Sequence, residues 1–313
     1  MKHARKMCIF LMACMICMGA VIVGTPKDVQ ARKMVKGVYW LNNTYYEGDA
    51  KLNHDSYSGA DVTGDGKKDN VETIRTSNTL VLYVNGIAVK KWNTKTTYVD
   101  LSDIEIVTLK NKKSYLSICE FRGRAKGKTI CRLYQVRKGK LATAFDFEKI
   151  FDKKLLTGND FIYRLHDYDE KDSDDSFQTL RVSKNTLYVD LFITTKSLGQ
   201  ITIRNLKITY SKGKLRLESG SYKAELARWR WQDNGWMKYY TAAKRIQTVK
   251  SPGSSKKGIV LKKNMQFNLK KISFYDKNIY AQVKTKNNKT GWIKLSTSGT
   301  SLVKKRSTID YRG

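Results

Sequence analysis

Apolar and polar side chains alternate through most of this chain, and this period of two residues constrains the fold more than any other feature. Successive side chains of a β-strand point to opposite faces of a sheet, so alternation is typical of half-buried strands. The clearest runs cover residues 79–84, 114–121, 129–136, 187–194 and 201–210. Segments rich in Gly, Asn and Lys separate the runs, as turns do. The pattern predicts an all-β, mainly antiparallel protein, with helix confined to a turn or two near residues 147–156.

Two hairpins can be placed from their turn residues. Asn85-Gly86 is a favoured two-residue hairpin turn, because both residues tolerate a positive φ, and it separates residues 79–84 from 87–92. A Ser-Lys-Gly-Lys turn at residues 211–214 separates the strand ending at Tyr210 from a predicted strand at residues 215–221.

The amino terminus has the order of a secretory signal peptide. Three basic residues within the first six positions precede an apolar run at residues 7–24, and Val29-Gln30-Ala31 then offers a small-residue cleavage site. A membrane anchor is the alternative, since the run approaches the length of a spanning helix. The polar stretch before Ala31 favours cleavage. We therefore expect a signal peptide at residues 1–31, a secreted or cell-surface protein, and no transmembrane anchor after cleavage.

Charge predicts the class of partner. The chain carries 60 Lys and Arg against 28 Asp and Glu, a formal net charge of +32. Such a chain binds polyanions by displacing their counterions, and the attraction falls with salt. Outside a bacterium the nearest polyanions are cell-wall polymers with teichoic-acid-like phosphates or acidic glycans, and not intracellular nucleic acid. Some of the lysines instead serve solubility and the protection of strand edges.

Residues 61–72 form the most specific local motif, with oxygen-bearing groups at loop positions one, three, five, nine and twelve. This spacing is typical of calcium loops, in which a glycine such as Gly66 permits the sharp bend. The candidate ligands are Asp61, Thr63, Asp65, the carbonyl of Lys67, Asp69 and Glu72. We expect a Ca²⁺ affinity on the order of 10⁻⁴ to 10⁻³ M. An Asp- and Gly-rich turn that binds no metal is the alternative.

The loop resembles the FG-GAP/VCBS type of calcium loop, which links two β-strands in integrin-like propeller blades and in many secreted bacterial proteins. The wider region, residues 34–226, resembles a lysine-rich domain of secreted Gram-positive proteins. The resemblance implies β structure stabilised by calcium, and it implies no catalysis.

Two cysteines remain after residues 1–31, and they lie on the two arms of one predicted hairpin. If the register places Cys119 opposite Cys131, a disulfide can close the turn at residues 122–128. Two reduced, buried cysteines are the alternative.

A second resemblance covers residues 242–297, which are similar to a bacterial SH3-like (SH3b) domain, a small β-barrel appended to secreted cell-wall proteins. The matching segments are residues 245–253, 258–264, 279–284 and 290–294, of which Gly291-Trp292-Ile293 is the most characteristic. The resemblance implies that the domain recognises peptidoglycan peptides or wall polymers, or attaches its neighbour to a surface. Tyr280 and Trp292 are then candidate ligand contacts, and a core position for Trp292 is the alternative.

The remaining segments connect and end these domains. Trp229, Trp231 and Trp236 mark residues 227–241 as a junction, either sealing a domain interface or offering a carbohydrate platform. Residues 298–313 form a polar, basic tail.

The sequence favours a binding protein over an enzyme. After residue 31 the chain has only His54 and His166, too few for a zinc amidase, and neither Cys119 nor Cys131 has a nucleophile context. We expect a non-catalytic protein that binds peptidoglycan or an anionic cell-wall polymer. The alternatives are a calcium-dependent adhesin or glycan-binding protein and, less favoured, a cell-wall hydrolase.

Overall fold

The regular structure of the described residues is almost entirely β-strand. The computed structural model describes residues 37–41, 53–94, 97–98, 104–122, 128–150, 163–164, 180–226, 239–276, 278–295 and 301–304. Within these ranges the only helical element is a 3₁₀ turn at Phe147–Ile150, and every strand pairing is antiparallel. No helix among the described residues is long and apolar enough to cross a membrane. The predicted all-β, antiparallel class is confirmed.

The described residues form 22 strands. The first ten are β1 Val38–Trp40, β2 Asn53–Ala60, β3 Asp69–Arg75, β4 Thr79–Val84, β5 Ile87–Asn93, β6 Thr97–Tyr98, β7 Ile104–Thr108, β8 Ser114–Arg122, β9 Lys128–Arg137 and β10 Lys140–Asp146. The other twelve are β11 Tyr163–Arg164, β12 Leu180–Ser183, β13 Thr186–Thr195, β14 Gly199–Ser211, β15 Lys214–Leu217, β16 Gly220–Leu226, β17 Tyr240–Thr241, β18 Ile246–Val249, β19 Lys257–Leu261, β20 Gln266–Tyr275, β21 Asn278–Thr285 and β22 Thr290–Lys294.

These strands form three sheets. The first sheet has the order β2-β3-β4-β5, and the second has the order β1-β7-β8-β9-β10 with β6 beside β8. The third sheet, of twelve strands, has the central order β13-β14-β16-β20-β21-β22-β18-β19. Short connections between sequential strands account for most of these pairings.

The second sheet is a middle layer with an apolar cluster on each face. Its residues Ile104, Ile106 and Leu116 pack with Leu80 and Leu82 of the first sheet. On the opposite face, residues such as Val107 and Leu133 pack with the third sheet. Burial on both faces explains why β7 is buried at four of its five positions.

Strand β16 joins two parts of the large sheet. Its first residues pair with β20, from Gly220 opposite Phe274 to Lys223 opposite Lys271. Its last residues pair with β14, where Leu226 lies opposite Ile201. The single strand predicted at residues 215–221 was wrong, because the regular strand is interrupted at residues 218–219 and the segment is divided between β15 and β16.

Several predicted segments lie wholly or mostly outside the described residues. They are the signal peptide at residues 1–31, the tryptophans of the junction, and most of the basic tail. On either side of the junction the chain contributes to one apolar cluster, since Tyr222 and Ala224 share it with Ile272 and Val283.

Candidate functional site

The loop between β2 and β3 is organised by the side chain of Asp61. Its Oδ1 accepts hydrogen bonds from the backbone N–H groups of Gly64 at 2.6 Å and Asp65 at 3.1 Å. Its Oδ2 accepts from the N–H of Gly66 at 2.9 Å. An aspartate that accepts several N–H donors ahead of it folds a short loop around its own carboxylate. Gly64 and Gly66, at φ of 79° and 88°, supply the left-handed conformations that this path needs.

Asp69 ties the same loop to the first sheet. Its Oδ2 accepts hydrogen bonds from the N–H groups of Val62 at 2.7 Å and Thr63 at 2.8 Å. Its Oδ1 accepts from Thr63 Oγ1 at 3.2 Å and from Nδ2 of Asn85 at 2.7 Å. The side chain is buried, with 1% of Asp69 exposed. Four donors therefore saturate this carboxylate and connect the loop to the β4–β5 turn.

Glu72 is not brought together with the other predicted calcium ligands. It lies three residues after Asp69 on strand β3, and residues an odd number apart on a strand face opposite sides of the sheet. Its Oε2 lies 3.9 Å from Nε2 of His54, and Asn70 Nδ2 donates to its Oε1. Lys67 stays in the loop, where its N–H donates to Asp65 Oδ1 at 2.8 Å.

The loop retains part of the donor set that calcium requires. Thr63 Oγ1 lies 3.4 Å from Asp61 Oδ1 and 3.2 Å from Asp69 Oδ1, so three predicted ligands are adjacent. Calcium takes six to eight oxygen ligands. In the structure the carboxylate oxygens of Asp61 and Asp69 already accept hydrogen bonds, and the Thr63 hydroxyl donates to both carboxylates. In the described part of the chain, no group of three or more His, Cys, Asp or Glu side chains is arranged to hold a metal ion.

A groove of about 510 Å³ opens beside this loop. It lies where the β4–β5 turn, the β9–β10 turn and residues Thr63 and Gly64 meet. The N–H of Val136 donates to the carbonyl of Val62 at 2.9 Å and fixes the loop against β9. Sequence reasoning missed this groove. Each turn is recognisable from its own residues, but their meeting depends on how the first two sheets stack.

A second candidate surface, which we call the basic face, lies on the outer side of the large sheet. Directly opposed residues of antiparallel strands share a face. Lys223 lies opposite Lys271, Lys271 opposite Gln282, and Gln282 opposite Trp292. Trp292 lies opposite Val249, and Val249 opposite Lys257. One row of residues therefore crosses six strands, with lysines at both of its ends.

The two predicted ligand contacts lie in the middle of the basic face. Tyr280 of β21 lies opposite Lys294 of β22 on one side and opposite Ser273 of β20 on the other. Tyr280 and Trp292 are nevertheless only 7% and 8% exposed. Neither belongs to the apolar cluster on the inner side of the sheet. The same face carries Lys223, Lys257, Lys271 and Lys294, all of which are exposed.

The β18–β19 loop lies close to this face of the sheet. It leaves the sheet at Val249, opposite Trp292, and a Cβ added at Gly253 would lie 2.2 Å from the ring of Tyr275. Tyr275 lies at the far end of β20, beyond Ser273 and Tyr280. The loop therefore passes across the outer face. Gly253 permits its close approach, since a side chain there has no room.

The charged side chains of residues 242–297, which carry most of the basic face, are almost all positive. Between residues 242 and 297 the sequence has 14 Lys and Arg and a single acidic residue, Asp276. Ion pairs in the large sheet are made by Arg204 with Asp190 and Glu225, at 2.9 and 3.1 Å. None of the ion pairs between described residues involves the four lysines of the basic face. Their ammonium groups therefore present positive charge to solvent.

Cys119 and Cys131 form a disulfide between β8 and β9. They are directly opposite each other, with sulfur atoms 2.12 Å apart, and both are buried. The pair lies in the apolar cluster between the second and third sheets.

Raised pKa values occur at tyrosines of the core. Burial raises the pKa of Tyr115 and of Tyr222 to about 12, and nearby Tyr210 and Glu218 add to the respective shifts. Burial also raises the pKa of Tyr240, which is fully enclosed. All three tyrosines belong to the large apolar cluster, so these shifts bear on stability.

The chain was compared with protein-family models, curated proteins and solved structures, and none of them matches it.

Proposed function

We propose that this protein is exported and held, without catalytic activity, at the bacterial cell surface, where it binds anionic cell-wall polymers. The observation that carries the proposal is the basic face. Four exposed lysines, Lys223, Lys257, Lys271 and Lys294, share this face with two aromatic rings, and the last three lie in a segment, residues 242–297, with one acidic residue. A repeating anionic polymer can contact such lysines one after another, releasing a counterion at each contact.

The lysines are the primary contacts in this proposal. Tyr280 and Trp292 are nearly inaccessible, so a ligand reaches their rings only when the residues around them move. Electrostatic retention requires no such movement. The rings and the loop then add selectivity for peptidoglycan or for sugar units on which an aromatic ring stacks.

The experiment is binding of the full mature chain, residues 32–313, to purified cell walls. One variant combines Lys223→Glu with Lys271→Glu, which are neighbours on the basic face. The matched control combines Lys212→Glu with Lys214→Glu, exposed residues of the β14–β15 turn that change the net charge equally. The full chain is used because β20 pairs with β16, which a separate SH3-like segment lacks.

The two variants separate a defined surface from bulk charge. We expect the Lys223/Lys271 variant to lose at least about tenfold in wall affinity, as removal of two ionic contacts implies, and the control to lose much less. Equal losses contradict a role for the basic face. Absence of binding by the unmodified chain contradicts the whole proposal.

A calcium-dependent adhesin is the second candidate. The observation in its favour is the adjacency of Asp61, Thr63 and Asp69 oxygens in the β2–β3 loop. In this function the SH3-like segment serves as the wall anchor, and the calcium loop stiffens a ligand-binding region.

A further inference from the structure

The groove beside the β2–β3 loop combines an apolar floor with a basic rim. Val84 and Val136 lie at its base and are nearly inaccessible, at 2% and 4% exposure. Val89 is part-buried, and Ile87 at the β4–β5 turn is 57% exposed. Among the described residues, Ile87 is the only large aliphatic side chain that is this exposed. Together with the three valines, Ile87 gives the groove an apolar side.

Three cations line the same groove. They are Lys113, Arg137 and Lys138, and none of the residues lining the groove is acidic. Arg137 is positioned by a neighbouring side chain, since its Nη2 donates to Gln135 Oε1 at 3.2 Å. The Lys113 ammonium lies 5.6 Å from the ring centroid of Tyr210, a residue that does not line the groove, so Arg137 and Lys138 are its main cations. Lys138 lies in the β9–β10 turn at a φ of 52°. The rim therefore suits a compact anion.

We propose that this groove binds the carboxyl-terminal end of a peptide whose last side chain is apolar. The carboxylate lies against Arg137 and Lys138, where a planar guanidinium can donate two hydrogen bonds to it. The apolar side chain lies against Val84, Val89 and Ile87. A volume of about 510 Å³ falls within the range of small-ligand sites and accommodates the end of a peptide, not a whole domain.

Charge and shape together favour this occupant. A phosphate polymer complements the three cations, but it leaves the valine floor and Ile87 without an apolar partner. A peptide end supplies one anionic group and one apolar group a few ångströms apart. The site lies in the first two sheets, away from the residues of the basic face, so it goes beyond wall retention and does not depend on it.

The test uses the full mature chain in solution, with no cell walls. The probe is a fluorescent tripeptide that ends in leucine with a free carboxylate, and its matched control carries a carboxyl-terminal amide. We expect fluorescence polarisation to show binding of the free acid and at least about tenfold weaker binding of the amide, because an ionic hydrogen bond is lost. Inorganic phosphate at the same concentration should compete poorly.

Variants locate the binding. Arg137→Gln should weaken peptide binding about tenfold, and Ile87→Ser should weaken it severalfold, while Lys214→Gln in the third sheet should leave it unchanged. Thermal unfolding of each variant checks that the fold is retained. Equal affinity for acid and amide, equal effects of Arg137→Gln and Lys214→Gln, or displacement by phosphate alone overturns the proposal. Because no wall is present, failure here leaves the wall-binding proposal standing.

Discussion

At the scale of single residues, Asp69 has the largest structural role of the acidic side chains in the β2–β3 loop. Its buried carboxylate accepts three hydrogen bonds from the loop and one from Asn85 of the β4–β5 turn, and so joins the two segments. Asp69→Ala leaves those donors unsatisfied, so we expect the free energy of unfolding to fall by about 3 kcal/mol. Urea denaturation in metal-free buffer measures the change. The exposed Asp65→Ala is the control, and a similar loss there contradicts the role given to Asp69.

Calcium affinity is also decided by a few residues. With a dissociation constant on the order of 10⁻⁴ to 10⁻³ M, 5 mM Ca²⁺ should raise the free energy of unfolding by about 1–2 kcal/mol. Asp65→Asn should reduce this gain, because it removes one charged ligand. Urea denaturation with and without calcium checks both statements. If neither ion has an effect, the loop is a metal-free turn, and an equal increase with magnesium contradicts a calcium-selective site.

At the scale of elements, the disulfide is the clearest covalent constraint. It links opposed residues of β8 and β9, twelve positions apart in the chain. Replacing both cysteines, Cys119→Ser with Cys131→Ser, should lower the free energy of unfolding by about 3 kcal/mol, because the unfolded chain regains freedom. Urea denaturation without reductant provides the measurement. Adding reductant should weaken the native chain by a similar amount and leave the double variant unchanged.

Individual elements were predictable where the local pattern is strong. The alternation at β4 and the Asn85-Gly86 turn define that hairpin, and the structure gives β4 the predicted bounds. The placement of Glu72 was not predictable from loop spacing alone. In a helix, position twelve of the motif can return to the metal, whereas strand β3 directs Glu72 to the opposite face from Asp69.

Contacts between elements that are distant in the chain were also not predictable from the sequence. The groove requires the β4–β5 and β9–β10 turns to lie side by side, and their residues are more than fifty positions apart. The basic face requires the register of six strands. The sequence singled out Tyr280 and Trp292, but it did not show which lysines share their face. Lys223, for example, joins that face only through the pairing of β16 with β20.

At the scale of the whole molecule, the buried tyrosines predict a loss of stability at alkaline pH. Tyrosine in the unfolded chain loses its proton near pH 10, whereas folded Tyr115 and Tyr222 retain theirs to about pH 12. The folded state therefore binds more protons across this window, and the free energy of unfolding falls as pH rises through it. Urea denaturation between pH 9 and pH 12 should show the fall. Tyr115→Phe with Tyr222→Phe should make it shallower, and an unchanged slope contradicts the assignment.

Large positive charge and a continuous β structure together set the expected behaviour of the whole chain. The strands before and after the predicted junction share one sheet and one apolar cluster, so the basic face is carried by residues from both sides of it. The contribution of the basic face to wall binding is therefore best measured on residues 32–313 together. The expected partner is a polymer, since a row of separated lysines matches a repeating charge.

The most direct measurement is co-sedimentation of residues 32–313 with purified cell walls over a salt series, before and after chemical removal of the anionic polymers. Our account predicts strong binding at low salt, a steep loss of affinity as salt rises, and weak binding to the stripped walls. Binding that is independent of salt and equally strong on stripped walls contradicts electrostatic retention by anionic polymers.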